Sequence, residues 1–186
     1  MSIHIMSELK IFSENNSSKA KRIETKHSNI AKALSEKGIR FERWTTNQNV
    51  IAGDSQEKII SAYKKDIDRL IASDGYQTVD VISLDKNHPQ KKEMREKFLS
   101  EHTHSENEVR FFVDGEGLFS LHLDHDIFEV LCQKGDLISV PANTKHWFDM
   151  GPNPNFIAIR LFNNPEGWVA NFTGSDIAGN FSRLIN

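Results

Sequence analysis

Glu101-His102-Thr103-His104-Ser105-Glu106-Asn107-Glu108, with Gly115 seven residues on, sets two imidazoles and two carboxylates at alternate positions. On an extended strand, residues two apart share a face. His102 and His104 therefore project together, and so do Glu106 and Glu108 if the strand continues; alternation alone leaves these two carboxylates as rivals. A second stretch, Gly135-Asp136-Leu137-Ile138-Ser139-Val140-Pro141-Ala142-Asn143-Thr144-Lys145-His146, puts a third histidine after an apolar strand and a turn. Three neutral imidazoles and one carboxylate suit a divalent first-row ion such as iron, nickel, manganese or cobalt. On an octahedral ion they leave two positions open. A closed structural zinc site would use thiolates, and Cys132 is the one cysteine of the chain. A lone HxH pair is most often an ordinary exposed strand pair. The accompanying Glu108, Gly115 and Pro141…His146 unit turn it into a metal-site hypothesis.

Outward from this stretch, the sequence from residue 99 breaks into short strands at hairpin spacing: 109–113, 117–123, 127–131, 137–140, 146–150 and 156–162. Asp114-Gly115 and Asp124-His125-Asp126 supply the polar turns. Many short strands with regular turns predict a sandwich or small barrel, whose interior can hold one small ligand. The first hundred residues mix helix and strand. A helix is expected over 28–37, capped by Ser28, with Ile30, Ala33 and Leu34 on one face and Gly38 as its stop. Residues 39–44 read as a strand. Asp54-Ser55-Gln56-Glu57 resembles a capping box and opens one helix carrying Ile59, Ile60, Tyr63, Ile67, Leu70 and Ile71 as a core stripe up to Asp74-Gly75. Residues 78–84 read as a strand, and 90–97 as a short helix with a solvated, highly charged face.

The 186 residues support a single domain, 1–186, in which 1–98 form a mixed helix and strand part and 99–170 the metal-binding barrel core. A hydrophobic content of 38% and 26% charged residues describe a soluble globular chain. A formal net charge of −3 gives no basic field for nucleic acid. No apolar run reaches membrane-spanning length. The first six residues lack the features of a signal peptide, and one cysteine suits a reducing cytoplasm. Met6 is an alternative start to Met1.

The two stretches resemble the paired signatures of the cupin superfamily. In the first, Glu96 stands where the pattern has a glycine; in the second, Asn143 and Met150 replace a Gly and an Asn. Asn tolerates left-handed backbone, so the turn at Asn143 can survive. Glu101-His102-Thr103-His104, Glu108-Val109-Arg110-Phe111-Phe112, His146-Trp147-Phe148-Asp149-Met150-Gly151 and Asn164-Pro165-Glu166-Gly167-Trp168 look like the acireductone dioxygenase family of methionine salvage. The resemblance implies an α+β, mainly β fold: a cupin double-stranded β-helix barrel, or jelly roll, with N-terminal helices. It implies a cytoplasmic enzyme that cleaves 1,2-dihydroxy-3-keto-5-methylthiopentene with O₂ and holds one Fe²⁺ or Ni²⁺ per chain. Iron would give formate and 4-methylthio-2-oxobutanoate; nickel would give methylthiopropionate, formate and carbon monoxide. The implied ligands are His102, His104, Glu108 and His146. A monomer is expected, with acireductone and O₂ as its partners and neither nucleic acid nor membrane. The alternatives are another metal-dependent cupin enzyme or a small-molecule-binding cupin; the complete ligand set disfavours the latter.

An enediolate substrate needs positive charge nearby. Arg110, two residues beyond Glu108, should point inward, as a clamp on the substrate, a partner of Glu101 or Glu106, or a structural salt bridge. Arg160, in an otherwise apolar strand, either faces the cavity or serves a strand edge. Glu101 should face away from the metal with an outer role at the site. Phe98 and Phe148 either wall the substrate pocket or belong to the core. Trp168 and Glu166 either cover the barrel mouth or pack. His122 and His125 are expected to be non-ligands, and no chemistry is assigned to His4, His27 or His88.

Overall fold

The computed structural model describes residues 6–186; Met1 and His4 lie outside the described residues. The elements run β1 (Glu8–Ser13), β2 (Arg22–Glu24), α1 (His27–Ser35), β3 (Phe41–Arg43), α2 (Gln56–Ala62), α3 (Lys64–Asp74), β4 (Thr78–Leu84) and α4 (Lys91–Leu99). They continue β5 (His102–Thr103), β6 (Glu108–Asp114), β7 (Glu116–Leu123), β8 (Asp126–Gln133), β9 (Asp136–Val140), β10 (Lys145–Asp149), β11 (Phe156–Phe162) and β12 (Asn171–Phe172). Short 3₁₀ turns cover Pro165–Trp168 and Ile177–Asn180.

The strands form two antiparallel sheets. One has the order β12-β5-β10-β7-β8-β1-β2, the other β3-β9-β6-β11-β4. Strands from the first hundred residues thus complete both sheets: β1 pairs with β8, β3 with β9 and β4 with β11. This is the expected α+β cupin barrel of two facing sheets. Alternation along β6 shows how it is packed. Phe112 points into the core between the sheets, with Phe119, Phe148 and Phe156. Val109, Phe111 and Val113 point outward and are covered by Ile59, Tyr63, Ile67 and Leu70 of α2 and α3. The outer face of the larger sheet is covered by the C-terminal residues Ala178 and Phe181 against Phe12, Ile127 and Trp147. Both faces of β6 are buried, which is why Phe111, Phe112 and Val113 follow one another without polar alternation. Glu108 and Arg110 share the inward face with Phe112.

Turn chemistry sets the hairpins. Gly115 has φ +70, and a Cβ there would lie 2.0 Å from the Asn155 carbonyl oxygen. Asn143 has φ 62, so the left-handed turn survives without glycine. Three local expectations change. The helix read as 28–37 starts at His27, with Lys26 as an N-cap that gives no side-chain bond; His27 stacks on Phe41 at 4.9 Å, and that contact draws the helix start before Ser28. The single helix after Ser55 divides at Tyr63, whose φ −105 and ψ 17 are not helical. Tyr63 is there held edge-on against Phe111 at 5.7 Å, so the two halves follow the sheet beneath. Ile71, placed on the core stripe by spacing, is 38% exposed. Ser55 does cap α2, accepting from the Lys58 amide.

Candidate metal centre

His102 and His146 stand opposite each other where β5 pairs with β10. Their ring centroids are 4.4 Å apart, and His104 lies 5.2 Å from each. One ligand nitrogen from each of the three imidazoles lies within 4.8 Å of the other two. The strand does not continue beyond Thr103, contrary to the alternation argument: residues 105–106 bend, and the chain crosses to the other sheet. Glu108 therefore enters from β6, not from the histidines' own strand. Its Oε2 is 3.4 Å from His104 Nε2. Glu106, the rival carboxylate, sits in the bend, partly exposed, and is not brought into the cluster.

The residues present fit a divalent ion. Each imidazole spends one nitrogen on a backbone carbonyl: His102 Nδ1–H donates to Ser100 at 2.7 Å, His104 Nδ1–H to Val169 at 3.0 Å and His146 Nδ1–H to Thr144 at 2.8 Å. Carbonyls only accept, so the tautomer is set and each Nε2 keeps a free lone pair. His104 Nε2, His146 Nε2 and Glu108 Oε2 are buried with no hydrogen-bond partner, a costly arrangement unless something occupies the space between them. Burial lowers the His102 pKa to about 4, and burial with the neighbouring His102 lowers that of His146 to about 3, so both rings are neutral donors. Burial alone would raise the Glu108 carboxyl, but Arg110, His146 and His104 hold it well below the usual carboxylate range. Phe119 stacks on His146, and Phe162 and Phe172 set ring edges against His104 and His102.

A cavity of about 430 Å³ opens beside the cluster. Its lining combines the polar His102, His104, Arg110 and Arg160 with the apolar Ile82, Leu84, Met94, Phe98 and Trp168. Arg110 is 1% exposed, and its partner is Glu108, through Nε, rather than Glu101 or Glu106. The guanidinium lies over Phe119 and Phe148, 4.9 and 5.1 Å from the ring centroids, and its Nη1 has no partner. Arg160 faces the cavity; the edge-strand alternative fails because β11 lies between β6 and β4. Its guanidinium donates to both Asp80 oxygens, at 2.9 and 2.5 Å, and Asp80 outweighs burial in raising its pKa.

Phe98 lines the cavity, whereas Phe148 is wholly buried behind Arg110 and is not part of the lining. Glu101 points away from the cluster. It accepts from Thr173 Oγ1 at 2.8 Å, and His122 joins it, at 2.7 Å, to Glu14, at 2.9 Å. With these bonds Glu101 touches no reacting group, so a catalytic role for it has no support; it braces the strand end before His102. His122 and His125 both face Glu14, outside the cluster. His88, to which spacing assigned nothing, lines the cavity. So does Asp80, whose sequence signal is an acid on the same alternate face as Ile82 and Leu84 in an apolar strand.

Comparison with known proteins places these features in context. The ARD/ARD' family model matches residues 8–170. Acireductone dioxygenase of Alcanivorax borkumensis is 60% identical over 178 residues, 96% of this chain and 98% of that protein. The Pseudomonas fluorescens enzyme is 59% identical over 179 residues, 96% and 99% respectively. A solved acireductone dioxygenase from Bacillus anthracis, with a cadmium ion in its active centre, superposes with a TM-score of 0.77 at 32% identity, covering 90% of this chain and 98% of that one.

Proposed function

The chain belongs to the acireductone dioxygenase family, and we propose that it cleaves 1,2-dihydroxy-3-keto-5-methylthiopentene with O₂ in methionine salvage. The reaction balances in two ways: to formate and 4-methylthio-2-oxobutanoate, or to methylthiopropionate, formate and carbon monoxide. In both, all atoms of substrate and O₂ appear in the products. The first set belongs to Fe²⁺ and the second to Ni²⁺, one ion per chain, held by His102, His104, His146 and Glu108. The observation that carries this reading is the set of buried, unpartnered donor atoms on His104, His146 and Glu108 beside a cavity that also presents two arginines.

A bound divalent ion supplies Lewis-acid and template chemistry and need not change its oxidation state, because the enediolate is itself electron-rich. The protein supplies the rest. The Nδ1 bonds to Ser100, Val169 and Thr144 hold three lone pairs in place before any ion arrives. Arg110 keeps Glu108 ionised and offers its free Nη1 to negative charge developing on the substrate. Arg160, oriented by Asp80, adds a second guanidinium to the same wall. Leu84, Ile82, Met94, Phe98 and Trp168 form apolar lining that suits a thioether tail and excludes water. The reading describes a cytoplasmic monomer acting on a small molecule. Among the described residues, no helix is long and apolar enough to cross a membrane.

The test is metal analysis of the purified protein, followed by O₂ uptake and product analysis on acireductone with iron or nickel reconstituted separately. Formate release with both metals and carbon monoxide with nickel alone is the expected result. Metal-loaded protein that consumes no O₂ with this substrate would overturn the reading.

A further inference from the structure

The charges that line the cavity divide into paired and unpaired. Arg110 is matched by Glu108 and Arg160 by Asp80, so each buried guanidinium carries its own carboxylate. On α4 the ion pair runs through Arg95 to Asp149, on the barrel wall. Lys97, in the last turn of the same helix, lines the cavity, is exposed, and among the described residues has no carboxylate partner. Exposure combined with a place in the lining puts its ammonium at the rim. The chain as a whole carries a formal charge of −3, so its far field repels an anion, and attraction must come from local charge.

We propose that Lys97 is a substrate-recruiting residue: its ammonium draws the anionic enediolate into the cavity mouth and holds its charge there during entry. This rests on the acireductone reading above. Among the described residues Lys97 makes no hydrogen bond or ion pair to a proposed metal ligand, so its action lies in binding, not in the chemical step. A compact, hydrated point charge on a flexible stem suits that task, because it can follow an entering ligand without a fixed geometry. The bland alternative is that Lys97 only complements the C-terminal end of its helix dipole. The two roles separate in the effect of salt on turnover.

The experiment compares Lys97→Gln with Lys97→Arg and with Lys92→Gln, an exposed residue of α4 that does not line the cavity and controls for net charge. Steady-state O₂ uptake is measured on the metal-loaded proteins at about 10 mM and about 1 M salt, where screening lengths are ~30 and ~3 Å. Lys97→Gln is expected to raise KM for acireductone about threefold at low salt with kcat unchanged, and to match the parent at high salt. Lys97→Arg keeps the parental KM, as does Lys92→Gln. An anaerobic titration followed by tryptophan fluorescence should show the same loss in Kd, free of any effect on chemistry. A Lys97→Gln protein with parental KM at low salt, a loss that persists in 1 M salt, or an equal loss in Lys92→Gln overturns the proposal while leaving the dioxygenase reading intact. A parent protein with no turnover of acireductone removes both.

Discussion

Arg110 and Arg160 are direct cross-strand neighbours where β6 pairs with β11, two like charges in one register. Like charges placed so are repulsive. They are tolerated because Glu108 neutralises the first and Asp80, opposite Arg160 on β4, neutralises the second. The four side chains form a row with the two arginines side by side and one carboxylate flanking each, and the row supports one wall of the cavity.

Asp80 is therefore expected to matter to both stability and binding. Asp80→Asn leaves Arg160 largely buried without a counter-charge and should cost about 3 kcal/mol. Thermal or urea unfolding measures this. In the double variant Asp80→Leu/Arg160→Met, stability should largely return, since apolar replacement of a buried pair is often neutral, while KM for acireductone stays raised. Parental KM in the double variant would mean that Arg160 is purely structural.

The carboxylate ligand is open to direct test. Glu108→Ala should weaken divalent-ion binding by more than the roughly 10- to 100-fold that follows loss of a residue merely hydrogen-bonded to a ligand. Glu106→Ala should leave the stoichiometry at about one ion per chain. Isothermal titration with Ni²⁺ distinguishes them, and equal losses from both substitutions would contradict the assignment.

His146→Ala removes one of the three imidazoles that the backbone carbonyls orient. Metal content by elemental analysis should fall to near zero, with O₂ uptake lost alongside it. Full occupancy in this variant would show that a ligand other than His146 completes the centre.

Arg110→Ala should retain its ion but lose about a hundredfold in kcat, the size of effect expected from removing one preorganised charge, ~3 kcal/mol. Metal content and kcat must be measured on the same preparation. Parental turnover would pass the anion-clamp role to Arg160.

Asp149 gives the pH dependence. Burial would push its carboxyl up, but Arg95 and the Gly151 and Leu184 amides hold it below the usual value. A depressed folded pKa contributes stability that is complete above the unfolded value of about 4 and is lost as pH falls through the folded one. Asp149→Asn should thus cost about 2 kcal/mol at pH 7. That difference should shrink as pH falls from about 4 through the depressed folded value, as first the unfolded and then the folded carboxyl takes up its proton. Urea midpoints at pH 7 and pH 3 check this; a constant offset would mean that charge is not the cause.

The strands between residues 108 and 162, the turns at Gly115 and Asn143, and the three histidines are legible in the sequence, because they depend on local alternation and on residues that tolerate left-handed backbone; the two-residue edge strand at Asn171–Phe172 is not. The strand at 78–84 has the same bounds in the sequence pattern and in the structure for the same reason. Glu108 was distinguished from Glu106 only by family spacing. Alternation alone placed both carboxylates beside the histidines, and it failed because the chain bends at 105–106 and changes sheets. Helix ends drifted where tertiary contacts decided them, as at His27 on Phe41 and Tyr63 on Phe111.

The sequence by itself therefore determined the barrel, the histidine set and the family, each carried by local pattern. Only the tertiary structure decided the partners: Glu108 for Arg110, Asp80 for Arg160, and His122 and Thr173 for Glu101. It also decided that Phe148 lies behind the cavity wall and Lys97 at its rim. The reason is physical. Burial obliges a charge to find a counter-charge, but which one it finds depends on strands far apart in sequence that meet only when the two sheets close.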